Sequence, residues 1–220
     1  MSKFPLLLAA YTLLACASCK NDRSATDTAE ALPFFNEPDW TPAWISPTDP
    51  AFKDIHRIPP FSFTDQNGKQ VTQNDISGKI CVVNFFFIRC KNICPRMTAN
   101  MHRLLDIQQQ DPDLLFLSHS VDPDNDSVPV LHQYAMDNKI DATSWRLLTG
   151  DKKEIYRLAR KEYFAGDSVG YYLAGDEFLH TENFILLDTA RRIRGVYNGT
   201  LLTEIDRIHE DIQLLKKEIQ

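Results

Sequence analysis

Two cysteines stand four apart in "NFFFIRCKNICPRM", residues 84–97, directly after an apolar run and directly before a proline. Thiols at that spacing can do two things. As thiolates they ligate soft metal ions, and as a pair they exchange electrons with a disulfide. Both uses favour a thiol whose pKa is lowered. Pro95 suits the first helical position and disfavours helical dihedrals in the residue before it, which makes Cys94 the expected cap residue. Its sulfur is then expected to face the unpaired N–H groups of a helix N-terminus, with Arg89, Lys91 and Arg96 adding positive charge.

The remaining cysteines fall elsewhere. Met1-Ser2-Lys3 supplies a charge, and residues 4–15 form an apolar run of signal-peptide length, shorter than the roughly 20 residues that span a bilayer. The "LLACASC" that follows resembles a bacterial lipobox, in which a cysteine becomes the lipidated mature N-terminus. Cys16, after Leu13-Leu14-Ala15, fits that pattern better than Cys19, which "SCKND" leaves open; a cleaved signal with incidental cysteines is the alternative. All of these readings export the chain. Only Cys81, Cys90 and Cys94 are then left, too few for a disulfide framework. Cys81, inside "KICVVNFFF", reads as a small hydrophobe.

The elements that must position Cys90 and Cys94 are legible in the pattern. With 220 residues, 43% hydrophobic and 25% charged, the chain has the composition of one main globular domain, and its net charge of −6 without a Lys/Arg block sets nucleic acid aside. Residues 1–19 are read as the signal peptide with lipobox, 20–50 as a tether and a Pro/aromatic-rich extended segment, and 51–220 as the folded domain. Five prolines among residues 32–50 exclude a helix there. Phe61 and Phe63 alternate ahead of Asn67-Gly68, which predicts a hairpin with a type I′ turn.

Residues 80–87 and 114–121 are near-continuous apolar runs, expected of strands buried on both faces. Between them Met97, Met101, Leu104 and Leu105 recur at helical spacing; core packing is the better reading of these methionines than thioether ligation. Helices are expected over 128–138 and 152–163 with a strand at 145–148 between them. "NFILLDTARRIRGVY" predicts a second hairpin, and Ile205, Ile208, Ile212, Leu215 and Ile219 a closing helix.

A strand leading into two cysteines at a helix start, a βαβ unit, and a late hairpin plus helix describe an α/β thioredoxin-like fold: a central mixed sheet flanked by helices, with an N-terminal hairpin. The cysteines sit at its reactive end. Redox enzymes of that fold carry C-x-x-C and a cis-proline before the penultimate hairpin, whereas this chain has C-x-x-x-C and no proline after Pro129. "FLHTENF" occupies the proline's place, and the fold is expected to bring His180 over the thiols. Asp122, Asp124 and Asp126 in "VDPDND" superficially resemble the start of a calcium loop. Pro123 and the missing loop glycine and terminal glutamate reject it. Asp122 and Pro123 are instead expected to shape a turn near the site, and Asp126 or Ser127 to cap the next helix. His119 and His102 read as structural. His56, His132 and His209 receive no role.

Together "NFFFIRCKNICPRM", "SVDPDNDSVPVLHQYA", "WRLLTG" and "FLHTENFILLD" resemble the Sco/SenC family over residues 59–219. The resemblance implies a copper metallochaperone that serves the CuA centre in cytochrome c oxidase assembly, with copper, as Cu(I), Cu(II) or both, on Cys90, Cys94 and His180. It also implies a redox-active Cys90/Cys94 pair able to form a disulfide. Implied partners are the copper-bearing oxidase subunit, another copper chaperone or a thiol reductase, and a bacterial membrane held through a lipid on Cys16 or Cys19, with the domain facing the periplasm. Many members have proline where Lys91 stands and threonine or serine near Ile88 and Arg89, a difference that spares the ligands. Two thiolates and an imidazole suit Cu(I), while structural zinc ordinarily takes a fourth protein ligand. The alternative is a thiol–disulfide oxidoreductase that keeps oxidase-subunit cysteines reduced. A peroxiredoxin-like peroxidase is weaker, because the threonine or proline context of a peroxidatic cysteine is missing.

Overall fold

In the computed structural model, which describes residues 31–109, 111–166 and 181–219, residues 31–49 form no helix but fold back on themselves as a short hairpin. Phe34–Phe35 (β1) pairs antiparallel with Pro42–Ala43 (β2), and a 3-10 turn at Pro50–Asp54 leads into the main domain. Ser62–Asp65 (β3) and Gln70–Thr72 (β4) form the first hairpin. Its turn differs from the expected one. Only Gly68 has positive φ, at +79°, while Gly68 N–H donates to Asp65 O and Asp65 N–H to Lys69 O. That is a three-residue loop with glycine in the left-handed bulge position, which needs one positive φ rather than the two of a type I′ turn. Asp65 Oδ1 secures it by accepting from the N–H groups of Asn67 and Lys69.

The chain continues through Ile80–Phe86 (β5), Ile93–Ile107 (α1), Leu114–Ser120 (β6), Val128–Asp137 (α2), Trp145–Thr149 (β7) and Lys152–Arg157 (α3). The helix expected over 152–163 changes pitch: Leu158–Glu162 is a π-helical turn, closed by Tyr163 N–H to Leu158 O. Asn183–Leu187 (β8), Ile193–Asn198 (β9) and Leu202–Ile219 (α4) complete the described chain. The main sheet runs β4-β3-β7-β6-β5-β8-β9, parallel across β7, β6 and β5 and antiparallel on either side.

Every residue of β5 and β6 is buried, because alternate side chains feed two cores. Ile80, Val82 and Phe86 meet Met97, Met101 and Leu104 of α1 and Ile205, Ile208 and Ile212 of α4 on one face. Cys81, Val83 and Phe85 meet Ile155 of α3, Tyr163 and the first hairpin on the other. Both methionines are therefore core residues, as expected. So is Cys81, whose thiol burial pushes up to about 12.

The segment before residue 50 is fastened to the far end of this sheet. The buried Arg194 guanidinium donates to the carbonyls of Leu32 and Pro33 and pairs with Glu218 of α4 at 2.7 Å. It also stacks on Phe34, 4.2 Å from the ring centre.

Candidate functional site

β5 and β6 are parallel and end together, so the loops that follow them meet at one edge of the sheet. Val121 N–H donates to Phe86 O, and from there the "VDPDND" turn holds the cysteine loop. Asp126 Oδ2 accepts from Ile88 N–H at 3.2 Å and from the Ser120 hydroxyl at 2.6 Å. Asp122 Oδ2 accepts from Arg89 Nη2 at 2.7 Å and Nε at 3.1 Å. Asp122 and Pro123 thus shape the turn as expected, its backbone closed by Asn125 and Asp126 N–H groups on Asp122 O. Asp126 does not cap α2: Ser127 is the N-cap residue and makes no side-chain cap bond. The Asp126 carboxyl lies under the cysteine loop instead. Its burial, opposed by the Ser120 and Ile88 hydrogen bonds and reinforced by Asp122, raises its pKa.

The two thiols exchange the roles that Pro95 suggests. Helix α1 begins at Ile93 with Asn92 as its N-cap, so Cys94 lies within the first turn, and it is 4% exposed. Burial pushes the Cys94 thiol up to about 12 despite a hydrogen bond from Phe87 N–H; the neighbouring Cys90 and Asp126 push the same way. Cys90, half-buried in the loop, receives the helix end. Partial burial opposes its ionisation, but the N–H groups of Cys94, Asn92 and Ile93 and the Cys94 thiol outweigh it and lower its pKa. The cations do less than expected: Arg89 is paired with Asp122, and Arg96 Nη2 donates to Thr200 O. The result is an accessible thiol inclined to ionise, in hydrogen-bond contact with a buried thiol that holds its proton.

Of the other expected site residues, His180 lies outside the described residues, as do Cys16 and Cys19. Thr181, the next residue, is buried and accepts from Asn183 N–H. Because β8 runs antiparallel to β5, with Val83 opposite Ile185, residue 181 stands at the end of the sheet to which β5 delivers the cysteines. His119 is fully buried among Phe61, Phe63, Phe85 and Tyr163, and burial lowers its pKa to about 3. It is structural, as expected.

Sequence reasoning missed a cleft of about 300 Å³ between α1 and α2 that opens at the thiols. Phe87, Cys90, Cys94, Thr98, His102 and Tyr134 line it, and Thr98 Oγ1 and Tyr134 Oη are hydrogen-bonded at 3.0 Å. His102, half-buried against Trp145, faces the cleft as well as the core. Thr98 and His102 lie four and eight residues beyond Cys94, a helical stripe that could have pointed to it.

This sheet, with a thiol pair at a strand-to-helix junction, defines a thioredoxin-like protein. The SCO1/SenC family model matches residues 51–216, and the chain belongs to that family. A relative, the SCO1 protein homolog of Bacillus subtilis, is 31% identical over 160 residues, 72% of this chain and 82% of that protein. The crystal structure of a SCO1/SenC family lipoprotein from Bacillus anthracis is similar with a TM-score of 0.64 and 29% identity, over 73% of this chain and 95% of that one. BsSco, a member of the Sco family of cytochrome c oxidase assembly proteins in which a disulfide switch was identified, superposes with a TM-score of 0.63 and 30% identity, over 74% of this chain and 95% of that one. Arabidopsis thaliana ScoI with copper bound gives 0.56 and 25%, over 73% and 98%. Among the described residues no helix is long and apolar enough to cross a membrane.

Proposed function

We propose that this chain is a copper metallochaperone, binding copper through Cys90, Cys94 and His180 and delivering it to the CuA centre during cytochrome c oxidase assembly. The asymmetric thiol pair carries the reading. Cys90 is accessible and inclined to ionise, so it meets incoming copper first; Cys94 is buried in contact with it and gives up its proton only as the metal takes the proton's place. An imidazole from His180 completes a soft three-donor set, open enough to release copper by ligand exchange. The copper-bound plant relative and the oxidase-assembly role of the family support the same reading.

A second reading rests on the same asymmetry. A half-buried, accessible attacking thiol beside a buried resolving thiol suits thiol–disulfide exchange, so a reductase that keeps client cysteines ready for metal is its chemical alternative. The two separate at His180, which a dithiol couple does not need. Cells carrying His180→Ala should fail to assemble the oxidase at limiting copper and recover when copper is supplied. Normal assembly at limiting copper, with Cys90→Ser and Cys94→Ser failing, replaces the chaperone by the reductase.

The proposal includes export and a lipid anchor on Cys16 or Cys19 in a bacterial membrane, with the domain facing the periplasm; the lipoprotein relative favours it. Mass spectrometry of the mature N-terminus tests it: a diacylated cysteine is expected, and an unmodified terminus after residue 20 removes the anchor.

A further inference from the structure

The outer face of α1 carries charge and shape that the metal site does not use. Arg96 and Arg103 are exposed and seven residues apart, so they lie on one side of the helix with the exposed Ala99 between them. Lys91 is exposed in the loop just before. From Arg89 to Leu105 the chain contains no acidic residue; Asp106 is the first. Arg96 reaches only a carbonyl oxygen, and neither Lys91 nor Arg103 pairs with a carboxylate among the described residues. On a chain of net charge −6 this is a cationic strip that no carboxylate pairs with among the described residues.

Beside the strip runs the α1–α2 cleft. Phe87, Ile88, Pro95 and Ala99 line it together with His102 and the hydrogen-bonded Thr98 and Tyr134. From Cys94 to Arg103 the helix rises about 13 Å at 1.5 Å per residue. About four residues of extended peptide span that distance.

We propose that the cleft and the Lys91–Arg96–Arg103 strip form a docking site for an extended acidic segment of the client polypeptide, which lays one apolar side chain in the cleft and brings its metal-accepting cysteine to Cys90. Charge complementarity and continuity with the thiols select this occupant: a basic segment meets like charge along the strip, whereas an acidic one finds the cations of Lys91, Arg96 and Arg103 there. The inference rests on Cys90 and Cys94 being the site at which a client is met. It adds the class of client surface recognised there.

Peptide binding without copper or thiol chemistry tests it apart from that reading. The full domain is titrated into two fluorescein-labelled peptides followed by anisotropy, each with a central leucine and with serine in place of cysteine, one flanked by aspartates and the other by lysines. The acidic peptide should bind about tenfold more tightly, and the preference should fade toward 1 M salt, where the screening length falls to about 3 Å. Arg103→Glu, an exposed change remote from the thiols, should abolish the preference. Ala99→Trp, which fills the cleft from a helical surface position, should weaken acidic-peptide binding several-fold; circular dichroism verifies that both variants fold. Equal affinity for the two peptides, tighter binding of the basic one, or an undiminished preference in Arg103→Glu overturns the docking site while leaving the copper reading standing.

Discussion

Iodoacetamide offered to the reduced, copper-free protein at neutral pH should separate Cys90 from Cys94. Cys90 is accessible and its sulfur collects N–H donors; Cys94 is 4% exposed and its thiol keeps its proton. Mass mapping should show Cys90 alkylated first, by at least about tenfold, because the thiolate is the reacting species. Equal labelling would contradict the assignment. The two sulfurs and their contact were legible as a motif, but their division of labour was not. Pro95 does sit in the first turn of α1, yet the helix starts before it, and a shift of that size at a helix end exchanges which sulfur the backbone faces. His119 offers a second test at this scale. Its folded pKa, near 3, lies below the ordinary value of about 6.5, so below pH 6.5 the unfolded chain takes up a proton that the folded chain refuses. Stability is thereby lost as pH falls from about 6.5 toward 3, by up to about 4 kcal/mol from this residue. In His119→Phe, which keeps the aromatic packing, urea titrations across that window should show the pH slope reduced by up to one proton; an unchanged slope would refute the assignment.

At the scale of elements, periodicity identified nearly every strand and helix of the described chain. The apolar runs of β5 and β6 read as buried strands, and the stripe of Met97, Met101 and Leu104 as a helix packed by its apolar face, as the structure has them. What periodicity could not reveal was local geometry set by contacts distant in sequence. The π-helical turn at Leu158–Glu162 seats Leu158, Ala159 and Tyr163 in the second core. Gly195 in β9 is another instance, since a Cβ there would lie 2.0 Å from the Tyr197 hydroxyl, which donates to Asp211 Oδ2 at 2.6 Å. Gly195→Ala must move that ring, and urea denaturation should show a loss of about 1–3 kcal/mol, the usual cost of overpacking. Gly78, at φ +75° with open space around it, should lose only about 1 kcal/mol as alanine, from the left-handed backbone alone. Equal losses at the two positions would show that the Tyr197 contact is not restrictive.

Across the whole molecule, the chain enters its domain at the pole opposite the thiols. Ile193 pairs with Leu187, and Leu187 with Cys81 at the start of β5, whereas the cysteine loop leaves the other end of that strand, about 20 Å away. Arg194 fixes residues 32–34 at the first pole, and no single sequence shows its pairing with Glu218 and two carbonyls more than 160 residues earlier. Removing it takes the donors from the Leu32 and Pro33 carbonyls and leaves the buried Asp188 carboxylate with Arg192 alone as its cation among the described residues. Arg194→Ala should cost about 3–5 kcal/mol and speed limited proteolysis within residues 31–50; unchanged cleavage there would refute the clamp. Whether the thiols carry copper decides the proposed function. The most direct test is an anaerobic Cu(I) titration of the reduced domain against a competing chelator, with His180→Ala, Cys90→Ser and Cys94→Ser measured beside the unaltered protein. One tightly bound copper per chain is expected, with a large loss of affinity in His180→Ala and failure to compete in either cysteine variant. Copper affinity unaffected by His180→Ala would contradict the proposed site.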